Sequence, residues 1–125
     1  MRRSETTSRR TDRVRVRRGE VWMVDLDPVR GHEQAGRRPA LVISVDGFNQ
    51  SPAGLAIVLP ITSRDKRVRS HVAVPSGEGG LRTTSYVKCE DVRSISTLRF
   101  AERLGSVGEQ TLADVEDRLR ILLDL

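Results

Sequence analysis

Residues 20–26 read EVWMVDL, with apolar side chains on both sides of a two-residue repeat. Val21, Met23 and Asp25 take one side and Trp22, Val24 and Leu26 the other, which predicts a strand buried on both faces. Asp27-Pro28 ends it, and a loop containing Gly31 and Gly36 follows. PALVISV (39–45) and LAIVLPI (55–61) read as two further buried strands, joined by the turn-rich segment 49–54. HVAV (71–74) is a short strand and PSGEGG (75–80) a turn. LRTTSYVKCEDVRSI (81–95) reads as extended chain rich in β-branched residues, and RLGSV (103–107) as one more short strand. Closely spaced short strands with Gly/Pro turns predict a mainly β fold, a small antiparallel barrel.

The period changes at the end of the chain. Leu112, Val115, Leu119 and Leu122 recur at helical spacing on one apolar face, with Asp114–Arg118 and Glu116–Arg120 as i,i+4 pairs opposite. A C-terminal helix packed on the barrel is expected, giving an α+β chain in which the helix is structural.

Charge divides the chain unevenly. Its 125 residues suit one domain. The net charge of +5 comes from residues 1–18, where eight arginines face Glu5 and Asp12; the remainder is close to neutral. Residues 1–17 read as a disordered arginine-rich tail, too polar to fold alone, and 18–125 as the folded domain. The tail suits non-specific contact with a polyanion or is a solvated extension. No apolar stretch reaches the ~18 residues of a membrane span. The single cysteine, Cys89, precludes an intrachain disulfide and fits a reducing cytoplasm.

Against this background, Arg38 is conspicuous: it precedes Pro39 and the run Ala40–Ile43. A guanidinium on a rigid loop–strand junction suits a phosphate, or a salt bridge to Glu33 or Asp25. Thr62, where an apolar strand leaves the core, suits a phosphate oxygen or its own backbone. Lys88 and Glu90 are two apart in a strand and share a face, as an acid/base couple or a surface ion pair, while Cys89 points into the core. His32 and His71 form a weak two-histidine pattern, and only His32 has chemically useful neighbours in sequence. Zinc spacings, a Gly-rich phosphate loop and a nucleophile elbow are missing from the sequence.

Several of these residues fall within a longer ordered set. R-G-E-V-W (18–22) is followed by D-P and G-H-E-Q-A-G-x-R-P-A-L-V-I within 27–43, P-I-T-S (60–63) and L-R-T-T-S-Y-V-K-C-E-D-V-R-S-I (81–95). In that order they resemble the MazF/PemK family, toxin endoribonucleases of type II toxin–antitoxin modules, with the Kid/PemK branch most similar through G-H-E-Q and R-T-T…C. The resemblance runs from about Arg18 to Leu123. It implies an SH3-like β-barrel with a C-terminal helix, a homodimer, cleavage of single-stranded RNA, chiefly mRNA, without a metal or other cofactor, and inhibition by a MazE/PemI-like antitoxin. Arg38 and Thr62 match the family's catalytic Arg and Thr. His32, Lys88 and Glu90 match a His, an Arg and an Asp with catalytic roles in the Kid branch; Lys88 and Glu90 keep the charge and change the length. Glu33, Gln34 and Thr84 fall in segments associated with substrate contact, and Arg64, Lys66, Arg67 and Arg69 form a basic loop suited to flanking phosphates or to solvent.

The chemistry implied is attack by the substrate's own 2′-OH, with Arg38 and Thr62 stabilising the phosphate. Glu90, given a raised pKa, or His32 would be the base. Lysine, near 10.4, releases a proton more readily than arginine, above ~12, so Lys88 suits a cationic acid. Two other readings are a non-catalytic toxin of the gyrase-poisoning CcdB type, which shares the fold, and a small nucleic-acid-binding barrel whose affinity comes from the tail.

Overall fold

A computed structural model describes residues 14–26 and 36–125. Seven strands appear in chain order: β1 (Glu20–Asp25), β2 (Arg37–Val42), β3 (Leu55–Thr62), β4 (His71–Val74), β5 (Ser85–Lys88), β6 (Arg93–Ser96) and β7 (Phe100–Ser106). A single helical turn, α1 (Asp46–Asn49), precedes β3, and the C-terminal helix is α2 (Glu109–Leu123). Neighbouring strands run in the order β4-β5-β3-β2-β1-β7, all antiparallel, with β6 beside the first half of β3.

Strand alternation gives this curled sheet two cores, one on each face. Val21, Leu41, Leu59, Ile61, Val72, Val74, Val87 and Cys89 pack with Val115 of α2. Trp22, Val24, Ala40, Val42, Ala56 and Val58 pack on the other side with Ile95, Phe100 and Val16. Trp22 and Phe100 meet edge to face at 5.6 Å between ring centres.

The mainly antiparallel β fold with a C-terminal helix is as the pattern predicts, but the hydrogen-bonded ladder does not close into a complete barrel: β4 and β7 end the path. A 3₁₀ turn, Glu78–Gly80, bridges that gap by packing directly on β7. A Cβ built on Gly80 would lie 2.1 Å from the Leu104 carbonyl oxygen, and one on Gly105 2.8 Å from the Gly79 carbonyl carbon.

Four details differ from the pattern. The extended stretch 81–95 divides into β5 and β6 around a turn at 89–92. α1 replaces part of the expected coil; Asn49 anchors it through hydrogen bonds with the Ser44 hydroxyl and carbonyl. Leu122 is 44% exposed, because the last turn of α2 runs past the sheet. The helix charges reach across the fold: Glu116 pairs with Arg18, and Arg118 donates to the Arg69 carbonyl.

The packed unit also starts before the expected boundary at residue 18. Val16 is fully buried, Val14 packs against the same cluster, and Gln50 Nε2 donates to the Val16 carbonyl at 2.8 Å.

Candidate active site

Register decides which polar side chains meet. β2 pairs with β3 through Ala40↔Pro60, Leu41↔Leu59 and Val42↔Val58. That ladder ends at Ala40↔Pro60; Arg38 and Thr62 each lie two residues beyond it, on the same face by strand alternation. Arg38 is also the β1 partner of Val24, so its side chain belongs to the Trp22/Val24 face, past the end of that core. Asp25 stands opposite Arg37 instead.

On its other edge β3 pairs with β5, Thr62 opposite Tyr86. β5 pairs with β4 through Ala73↔Tyr86 and His71↔Lys88. Cross-strand neighbours share a face, about 4.5–5.5 Å apart at Cβ, and residues two apart on one strand do too. Arg38, Thr62, Tyr86, Lys88 and His71 therefore share one face of the sheet across β2, β3, β5 and β4. Val87 and Cys89 point oppositely, into the helix-side core.

Thr62 sits at the mouth of the basic loop. Its Oγ1 accepts from the Arg64 N–H at 3.1 Å, which orients the hydroxyl and leaves its proton to donate outward. Arg64, Lys66, Arg67 and Arg69 are all exposed. The loop is tied down at its far end by Arg118 on the Arg69 carbonyl and by the Cys89 N–H on the Ser70 carbonyl at 3.3 Å.

Glu90 lies in the turn after β5 and does not pair with Lys88; Lys88 Nζ is 3.9 Å from Asp91 Oδ2 instead. Both oxygens of Glu90 have partners from the start of β4. The Ser70 hydroxyl donates to Oε1 at 2.6 Å, and His71 Nε2 is 2.9 Å from Oε2. Burial pushes the carboxyl pKa up, but the hydrogen bonds from Ser70, His71 and the residue's own backbone N–H outweigh it, and the net shift is downward. The raised pKa that a Glu90 base calls for is thus replaced by a carboxylate held ionised. His71 thus has a carboxylate partner that its neighbours in sequence do not suggest. Sequence reading missed it because Ser70–His71 and Glu90 meet only through β4–β5 pairing.

Cys89 is buried, and that burial raises its thiol to about 11; Arg118 lowers and Glu90 raises it by smaller amounts. It is a core residue. Thr84 is exposed just ahead of β5. His32, Glu33 and Gln34 lie outside the described residues.

Comparison with known proteins shows the family. Residues 17–123 match the model of the PemK-like, MazF-like toxin of type II toxin–antitoxin systems. The chain is 37% identical over 115 residues to endoribonuclease MazF9 of Mycobacterium tuberculosis, covering 88% of this chain and 98% of that protein. It is 39% identical over 110 residues to endoribonuclease PemK of Escherichia coli, covering 86% and 82%. The crystal structure of a MazE–MazF complex from Deinococcus radiodurans superposes with a TM-score of 0.77 at 34% identity, covering 90% of this chain and 98% of that one. Matched over residues 17–123 and 37–39% identical to these two relatives, this chain belongs to the PemK-like, MazF-like toxin family of type II toxin–antitoxin systems.

Proposed function

We propose that this protein is an endoribonuclease toxin that cleaves single-stranded RNA, chiefly mRNA, at short specific sequences without a metal and so arrests translation. The observation that carries the reading is that Arg38, Thr62 and Lys88 share one face of neighbouring strands, with an ionised Glu90 in the turn after Lys88. The relatives named endoribonucleases support the activity.

In the reaction, the 2′-oxygen of one nucleotide attacks its own 3′-phosphorus. The 2′-O–P bond forms, the P–O5′ bond breaks, and a 2′,3′-cyclic phosphate and a 5′-OH result. Negative charge grows on the non-bridging oxygens, where the Arg38 guanidinium and the Thr62 hydroxyl donate. Glu90 accepts the 2′-OH proton as an ionised carboxylate, and Lys88 supplies the proton that O5′ takes up. His32 is the other candidate base. The exposed cations of 64–69 hold flanking phosphates, and Glu33, Gln34 and Thr84 contact the substrate.

The toxin acts as a homodimer, and its partner is a MazE/PemI-like antitoxin whose acidic segment competes for the same cations; MazE–MazF complexes among structural relatives support this. The arginines among residues 1–17 suit non-specific contact with a polyanion such as RNA. Among the described residues, no helix is long and apolar enough to cross a membrane, and the cytoplasm, where mRNA is translated, is the site of action.

Incubation with a long unstructured RNA in EDTA, alongside Arg38→Ala, tests the reading. Primer extension should find discrete ends that persist in EDTA and vanish both in the variant and on a substrate with a 2′-deoxy cleavage nucleotide. Intact RNA, with the protein folded, would point to a non-catalytic toxin.

A further inference from the structure

Ser70 and His71, at the start of β4, are far more buried than the carboxylate they hold. The His71 side chain is only 4% exposed, whereas that of its partner Glu90 is 40% exposed. Ser70 is buried too. Two buried groups therefore grip an open carboxylate, one on each oxygen, at 2.6 and 2.9 Å. Their own placement is rigid: the Ser70 carbonyl accepts from Cys89 N–H at 3.3 Å, His71 N–H donates to Val68 at 3.0 Å, and β4–β5 pairing sets His71 opposite Lys88.

The imidazole's other nitrogen decides the tautomer. Nδ1 of His71 is buried and has no hydrogen-bond partner. A proton there would be a donor without an acceptor, a costly arrangement, whereas a proton on Nε2 meets Glu90 directly. The ring thus sits as the Nε2–H form, aimed at Glu90 and screened from solvent.

We propose that His71, as an Nε2–H donor, and Ser70 are positioning residues that hold the Glu90 carboxylate in its reactive orientation towards RNA. This rests on the reading of Glu90 as part of the cleavage site. Ordinary strand-end carboxylates rotate freely; here each oxygen keeps one lone pair directed outward, and the side-chain torsions are locked from beneath. Arg118 of α2 donates to the His71 carbonyl at 3.4 Å and so holds the backbone that carries the imidazole.

The test compares His71→Leu, which keeps apolar bulk and removes the donor, with His71→Gln, whose amide N–H extends towards the same carboxylate. All variants are first checked by thermal unfolding. Losing an orienting contact costs up to about 100-fold, so His71→Leu should lower kcat by roughly ten- to a hundredfold with KM within about twofold, and His71→Gln should recover most of the loss. In a Glu90→Gln background, His71→Leu should cost nothing more, because the group it positions is gone. Ring ¹⁵N NMR of the wild-type protein should show His71, identified by its disappearance in His71→Leu, as the Nε2–H tautomer. Wild-type kcat in folded His71→Leu, with Glu90→Gln impaired, would overturn the positioning role and leave the nuclease standing. Multiplicative losses in the double variant, or an Nδ1–H tautomer, would overturn it too. Wild-type cleavage by Glu90→Gln would remove Glu90 from the site, and with it both the role assigned to Glu90 and this proposal.

Discussion

Because the strand ladder does not close, the Gly79–Gly80 turn on Leu104–Gly105 has to seal the sheet, and Gly80→Ala should be among the most damaging small substitutions. Gly80 has φ +76, in the left-handed region, and its Cβ would lie 2.1 Å from the Leu104 carbonyl oxygen and 3.0 Å from Leu104 Cβ. The left-handed conformation costs a non-glycine residue roughly 1–2 kcal/mol. Relieving the clash requires moving backbone on β7, an overpacking cost of about 1–3 kcal/mol. Together they remove about 2–5 kcal/mol from a total of roughly 5–15 kcal/mol. Gly77 is the matched control: φ is +94, but nothing lies within 4 Å of its Cβ, so Gly77→Ala carries the conformational cost alone. Urea unfolding of the three proteins measures the difference, and at about 4–8 °C per kcal/mol for a domain near this size thermal melts resolve it as well. Gly80→Ala should fall clearly below Gly77→Ala. Equal destabilisation of the two would refute the idea that this contact seals the sheet.

Other outcomes follow from single residues. Val16→Ala should cost about 1.5–3 kcal/mol in urea unfolding, since Val16 is fully buried. With Glu90 as base, the acid limb of kcat/KM should lie below the ordinary carboxylate value near 4.3, because its folded pKa is lowered; a limb near ~6.5 would assign the base to a histidine. The same lowered pKa means that the stabilisation Glu90 gives is present above its unfolded pKa and lost as pH falls through the folded value. Glu90→Gln should therefore be less stable than wild type at pH 7 and match it at the acid extreme. Cys89, with a thiol at about 11, is about one-thousandth thiolate at pH 8, so a disulfide reagent should label it only as the protein unfolds.

Much of the fold was legible in the chain itself. Period-two alternation identifies strands buried on both faces, because it depends only on neighbouring residues, and the division of Val21 from Trp22 and Val24 between opposite faces was readable before any partner was known. The helix spacing of Leu112, Val115 and Leu119 was equally local. Arg38 and Thr62 stood out because a cation and a hydroxyl adjoin apolar strands. Alternation does not say which strands are neighbours or in what register. Only the tertiary structure put Arg38 and Thr62 on one face of adjacent strands and Tyr86 opposite Thr62. It also split 81–95 at a turn, left Leu122 outside the core, and drew Val16 into it. Glu90 shows the difference most plainly. Its sequence neighbour Lys88 suggested an ion pair, but pairing of β4 with β5 delivers Ser70 and His71 instead. Hydrogen bonds from residues distant in sequence then reverse the direction in which burial alone would move its pKa. Local chemistry chose the side chains; long-range strand register, set by how two cores fill both faces of one sheet, chose their partners.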